Sequence, residues 1–138
     1  MSLANRRIWV LINHLCLALL LISFYFGKET GMTAVAIGGL ALAVIVGIIS
    51  FILVHISSGL WKLTHSKTDK LDERQILITH EALRLSYGIF AITSLVVLLA
   101  LALLEGKYNI TLIVIFAALL YLAHTLPSSI LAWAEKEV

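Results

Sequence analysis

The chain has 138 residues, of which 61% are hydrophobic and 13% charged, with a formal net charge of +2. Soluble domains carry about 25% charged residues, so a water-soluble globular class is excluded. The few basic residues sit beside apolar runs, which argues against a nucleic-acid partner. A single cysteine, Cys16, excludes an intrachain disulfide and reads as a small packing residue.

Four apolar runs follow one another along the chain, at residues 8–27, 33–56, 83–104 and 110–126. About 20 apolar residues in an α-helix cross a hydrocarbon core of about 30 Å. The expected fold is an all-α integral membrane protein, a single four-helix transmembrane domain over residues 1–138. Short connections between spans one and two and between spans three and four predict two antiparallel hairpins.

Arg6 and Arg7 precede the first run, and Ala34-Val35-Ala36 after it resembles a cleavage site. Signal h-regions hold about 7–15 residues, and this run is longer, so an uncleaved first span is expected. It carries Asn13 and His14 a few residues inside its start. The second span reads Gly38-Gly39, then Ala43, then Gly47. Gly39, Ala43 and Gly47 recur every four residues and form a smooth strip that lets backbones approach. The strip is expected to face span one or a second copy of the chain, against the alternative of small residues facing lipid. His55 lies near the end of this span.

Residues 57–82 form the sizeable polar segment. Thr68 or Asp69 is expected to cap a helix whose first turn holds Asp72 and Glu73, where negative charge suits the macrodipole. No Gly or Pro interrupts residues 69–87, so the third helix should start near Asp69 and extend into the cytoplasm ahead of its span. Glu73, His80, Arg84 and Tyr87 share one face, with Arg74 and Glu81 on a neighbouring one. That face reads either as a solvated, salt-bridged stalk or as a contact with other spans or a partner. Asp72, Glu73, Arg74, Glu81 and Arg84 are its candidate interaction residues, and Arg74 suits anionic lipid or a partner's acid.

Leu71-Asp72-Glu73-Arg74-Gln75 resembles the L-D-E-R-[QE] motif that small bacterial and archaeal multi-pass membrane proteins of unknown function carry before a span. The resemblance covers residues 69 to about 104, within a similar four-span layout. It implies a multi-pass fold and no particular activity.

Asn109-Ile110-Thr111 matches a glycosylation sequon but abuts the fourth span, and an N-cap role for Asn109 is preferred. Pro127 should end or kink that span. Residues 128–137 then alternate apolar and polar, which predicts a short helix on the cytoplasmic surface. Arg6, Arg7, Lys62, Lys67, Lys70, Arg74, Arg84 and Lys136 lie at the two chain ends and in the segment between spans two and three, whereas the other two connections hold Lys28 and Lys107. The positive-inside rule therefore places both termini and residues 57–82 in the cytoplasm. Trp9, Trp61 and Trp133 at that boundary, and Tyr25 and Tyr108 at the outer one, agree with this register.

His14, His55, His80 and His124 come from all four spans toward one level, and imidazole ligates metal and haem. Against a dedicated site, no H-x-x-H or H-E-x-x-H pair occurs, and interfacial histidines bonding backbone carbonyls are the plainer reading. Three function classes compete. The first is a non-enzymatic protein acting through helix association, as a homo-oligomer or as an accessory or regulatory subunit in the cell membrane. The second is a haem-, quinone- or metal-binding redox protein using the histidines. The third is a small oligomeric channel or transporter, which loses weight because no Asp or Glu lies within the span cores.

Overall fold

The computed structural model of the protein describes residues 1–67, 70–103 and 109–135, with the side chains of 102, 103, 109 and 110 set aside. Thr68, Asp69, Glu105, Lys107, Tyr108 and Lys136 lie outside the described residues, as does the side chain of Asn109. The described residues are helical almost throughout. The elements are α1 (Leu3–Thr30), α2 (Ala34–Phe51) continuing into a π-helical turn (Ile52–Ile56), α3 (Leu60–His65), α4 (Glu73–Leu103) and α5 (Asn109–Ala134). Four helices are long and apolar enough to span a membrane: α1, α2 with its π turn, α4 and α5.

Local chemistry fixes the helix ends. The Asn5 N–H donates to Ser2 Oγ at 3.3 Å, which starts α1. Gly31, with φ of 80°, ends it in the left-handed conformation that glycine adopts without a Cβ penalty. Lys28 in the last turn suits the negative end of the macrodipole. Thr33 caps α2, its Oγ1 accepting from the Ala36 N–H at 3.4 Å.

Helix α4 starts at Glu73, four residues later than expected, because Asp72 rather than Thr68 or Asp69 caps it. The Gln75 N–H donates to Asp72 Oδ1 at 2.7 Å, and the Asp72 N–H donates to Gln75 Oε1 at 3.2 Å. This is a reciprocal capping box, two orphan donors of the first turn satisfied by two side chains. Leu71 and Ile76, both half-buried, hold the N′ and N4 positions of a hydrophobic staple.

The expectation that Pro127 ends or kinks the span is corrected as to the end. Helix α5 runs through it to Ala134, and Ser128, Ser129, Leu131 and Ala132 are buried rather than laid along a surface. Proline removes the backbone donor that would bond the Ala123 carbonyl, and the hydroxyls beside it bond other carbonyls of the same helix. Here Thr125 Oγ1 donates to the Tyr121 carbonyl at 2.9 Å and Ser128 Oγ to the Thr125 carbonyl at 3.0 Å.

The described residues divide into two compact units. One joins residues 1–61 with 132–135, and the other comprises the described part of Lys62–Leu131. In the first unit α1 and α2 lie side by side and run in opposite directions. Outward side chains of α2, among them Val35, Ile37, Leu42, Val44, Ile45 and Ile48, are exposed and apolar. So large an apolar surface is unsuited to water and fits hydrocarbon.

Candidate functional site

The α1–α2 seam is built on small residues. Ala43 is 2% exposed, and Ala36 and Ser50 are buried with it, seven residues apart on one stripe of α2. Gly39 and Gly47 lie on the same stripe. A Cβ on Gly39 would collide with Ser23 Oγ of α1, while one on Gly47 would meet Cys16 Cβ at 3.6 Å, an ordinary contact. At the loop end, a Cβ on Gly27 would stand 2.8 Å from Met32 Sδ and 3.1 Å from Ala36 Cβ. The strip Gly39, Ala43, Gly47 thus faces α1 of the same chain.

Polar groups close the seam at its other end. Asn13 Nδ2 donates to Ser50 Oγ at 2.9 Å and to the Gly47 carbonyl at 3.3 Å, and Ser50 Oγ donates to that carbonyl at 2.9 Å. Lipid gives helices no hydrophobic reason to associate, so close packing and such interhelical bonds hold the pair together. Asn13 of α1 is thereby tied to both a side chain and the backbone of α2.

The π turn follows directly. Seam positions of α2 recur at Ala36, Ala43 and Ser50, and the next in regular α-helix is Val54. His55 would then point about 100° away from the seam. A π turn accommodates one extra residue and shifts the register by about that angle. Val54 and His55 are consequently both fully buried, each with 0% exposure. The Ser57 N–H closes the turn on the Ile52 carbonyl at 2.8 Å, and Ser58 Oγ bonds the Val54 carbonyl. His55 packs with Phe51 at a centroid distance of 4.9 Å, and Trp61 stands edge-on to Phe51 at 5.5 Å. His14 Nδ1 bonds the Val10 carbonyl at 2.8 Å, which leaves Nε2 as the acceptor nitrogen of a neutral ring.

The other two candidate histidines belong to the second unit. His80 is exposed, and His124, also exposed, turns Nδ1 to the Leu120 carbonyl of its own helix at 2.9 Å. Among the described residues, no three His, Cys, Asp or Glu side chains gather closely enough to hold a metal ion.

On α4 the buried face carries Thr79, Ala82 and Ser86, and Ser86 Oγ donates to the Ala82 carbonyl at 2.5 Å. The opposite side exposes Glu73, His80, Glu81, Arg84 and Tyr87. Arg84 and Glu81 pair at 3.4 Å, one turn apart and both well exposed, a contact of little energetic weight. Of the motif residues, Asp72 and Gln75 are the helix cap, while Glu73 and Arg74 are exposed at the first turn. The pattern S/T/D/N-x-x-E/Q before an apolar run was the sequence signal for this cap.

The ends of the chain meet in the first unit. Arg6, buried at the start of α1, donates through a terminal nitrogen to the Glu135 carbonyl. Arg7 Nε donates to the Trp133 carbonyl at 2.9 Å, and its guanidinium lies 5.2 Å from the centroid of the Trp133 ring. Two cations thereby cap the last carbonyls of α5, where the macrodipole is negative. No protein-family model, curated protein or solved structure matches the chain.

Proposed function

We propose that this is a non-enzymatic multi-pass protein of the cell membrane whose role is association, with a second copy or with another membrane protein as an accessory or regulatory subunit. The observation that carries this reading is the exposed stripe Glu73, His80, Glu81, Arg84 and Tyr87 on α4. It leaves ionisable and aromatic groups outward on a helix whose opposite face holds the buried residues. Helix α4 has 31 residues and a length of about 46 Å, more than the roughly 30 Å that a bilayer core requires. Its first turns therefore project beyond hydrocarbon, as a cytoplasmic stalk in the proposed orientation with both termini inside. The two-hairpin arrangement and the kinship with L-D-E-R-[QE] proteins belong to the same proposal.

Mass spectrometry of the gently extracted assembly tests it by reporting copy number and co-purifying chains together. More than one copy, or a stoichiometric partner, is expected, and Glu81→Arg with Arg84→Glu should reduce that association. A lone chain in mild extraction, unchanged by the double reversal, would refute the proposal.

A second reading has one observation in its favour, the π turn that buries His55 against α1, the helix that carries His14. A haem, quinone or metal held there predicts a visible absorption band or a stoichiometric metal in purified protein. Either signal should vanish in His14→Ala and His55→Ala.

A further inference from the structure

We infer that Arg7 and Trp133 form a site for the phosphate of an anionic phospholipid headgroup. The two arginines at the start of α1 are not equivalent. Arg6 is 4% exposed and is directed at the Glu135 carbonyl, so it is part of the fold. Arg7 is half-exposed and uses only Nε, on the Trp133 carbonyl. A guanidinium has five N–H donors, and the four on the terminal nitrogens of Arg7 have no acceptor among the described residues. They form the planar fork that matches a phosphate in two parallel bonds.

Trp133 fixes that fork. Its ring covers one face of the guanidinium, and the bond to its carbonyl holds Nε, so little side-chain freedom remains to be lost on binding. Trp133 is 43% exposed, and its indole N–H, also without an acceptor among the described residues, adds a donor beside the fork. The depth is set by α1 itself. Lys28 follows Arg7 by 21 residues of unbroken helix, a rise of about 32 Å, with only uncharged residues between. If Lys28 reaches one headgroup layer, Arg7 stands at the other, because this is the thickness of the hydrocarbon core. A lipid phosphate resides at that depth, which is why the headgroup rather than a dissolved anion is assigned.

The test uses the full chain in nanodiscs containing equal parts of phosphatidylglycerol and phosphatidylcholine. Native mass spectrometry counts the lipid that stays bound, and about a fivefold preference for phosphatidylglycerol is expected. Arg7→Gln should abolish the preference without lowering the melting temperature by as much as Arg6→Gln does. Arg7→Lys, which keeps the charge and loses the fork, should retain only part of it. Equal retention of the two lipids, or a preference undiminished in Arg7→Gln or Arg7→Lys, would overturn the site. A separate arm follows Trp133 fluorescence in a Trp9→Phe, Trp61→Phe chain with brominated lipids. Brominated phosphatidylglycerol should quench it at lower mole fraction than brominated phosphatidylcholine, and millimolar inorganic phosphate should leave this unchanged. Relief of quenching by inorganic phosphate would reassign the site to a dissolved anion and refute the lipid.

Discussion

Gly38 and Gly39 are chemically identical neighbours with opposite surroundings. A Cβ on Gly38 meets nothing within 4 Å, whereas one on Gly39 runs into the Ser23 side chain. Ser23 is itself buried, so its oxygen has little room to yield. Gly39→Leu should push α1 and α2 apart and cost about 1–3 kcal/mol, the usual range for overfilling a packed interior. Gly38→Leu should cost less than about 0.5 kcal/mol, because the added side chain faces hydrocarbon. Thermal melting of the two variants in the same detergent decides the matter, and equal losses would show that the seam does not depend on close approach at Gly39. The same scale separates the histidines. A ring bonded to a carbonyl four residues back on its own helix, as His14 and His124 are, needs no ligand to satisfy that nitrogen.

Among elements, the start of α4 is the clearest case of paired side chains doing one job. Gln75→Ala leaves the Asp72 N–H without its acceptor, while Gln75→Glu preserves the capping box. About 1 kcal/mol of local stability is expected to be lost in the first and retained in the second. Hydrogen exchange at residues 73–76 reads this, and identical exchange in both variants would argue against the box. The π turn gives a less intuitive expectation. Deleting Leu53 removes the extra residue, so His55 and all that follows keep their facing toward the seam. Deleting Ala41 instead turns everything after it by about 100° and dismantles the Ala43–Gly47–Ser50 stripe. The first deletion should leave a monodisperse, folded chain and the second should not; equal damage from both would mean that the π turn is not a simple one-residue insertion. These elements also show where sequence reading succeeds. Four membrane helices are legible because each is a run of about 20 apolar residues, a property of composition. The small strip is legible because its period matches the helix. Ile52-Leu53-Val54-His55-Ile56 carries no mark of a π turn, since register is decided by what the helix packs against. Pro127 does not end α5, since a proline inside a helix costs one backbone bond and packing decides whether the helix goes on. The acidic residues of the L-D-E-R-Q motif were read as charge, and their geometry as a cap appears only once Gln75 is seen facing Asp72.

For the whole molecule, the contact of Arg6 and Arg7 with the carbonyls of Glu135 and Trp133 places the two chain ends together. In the proposed multi-pass arrangement, chain ends that touch lie on one side of the membrane, which agrees with an even number of crossings by the four apolar helices. In that proposal the contact groups parts on one side without naming the side. The naming comes from charge. Lys62, Lys67 and Lys70 lie between the second and third spanning helices and Arg74 in the first turn of α4, while Lys28 in the last turn of α1 is the lysine next to the first short connection. Basic residues in short connections stay cytoplasmic, so the termini and residues 57–72 should be inside and the turn at residues 28–33 outside. Cys16, buried in α1, is the one native thiol, and Cys16→Ala provides a background free of it. In that background Glu29→Cys and Lys67→Cys, both at exposed positions, can be treated in intact cells with a membrane-impermeant maleimide. Glu29→Cys should label at once, and Lys67→Cys only after the membrane is opened. Ser2→Cys, at the end that meets the C-terminal residues, should behave as Lys67→Cys does. Labelling of positions 2 and 67 in intact cells with protection of 29 would invert the protein and transfer the α4 stalk to the outside. Labelling of 2 and 67 from opposite sides would contradict the two crossings proposed for α1 and α2, which put residues 2 and 67 on the same side.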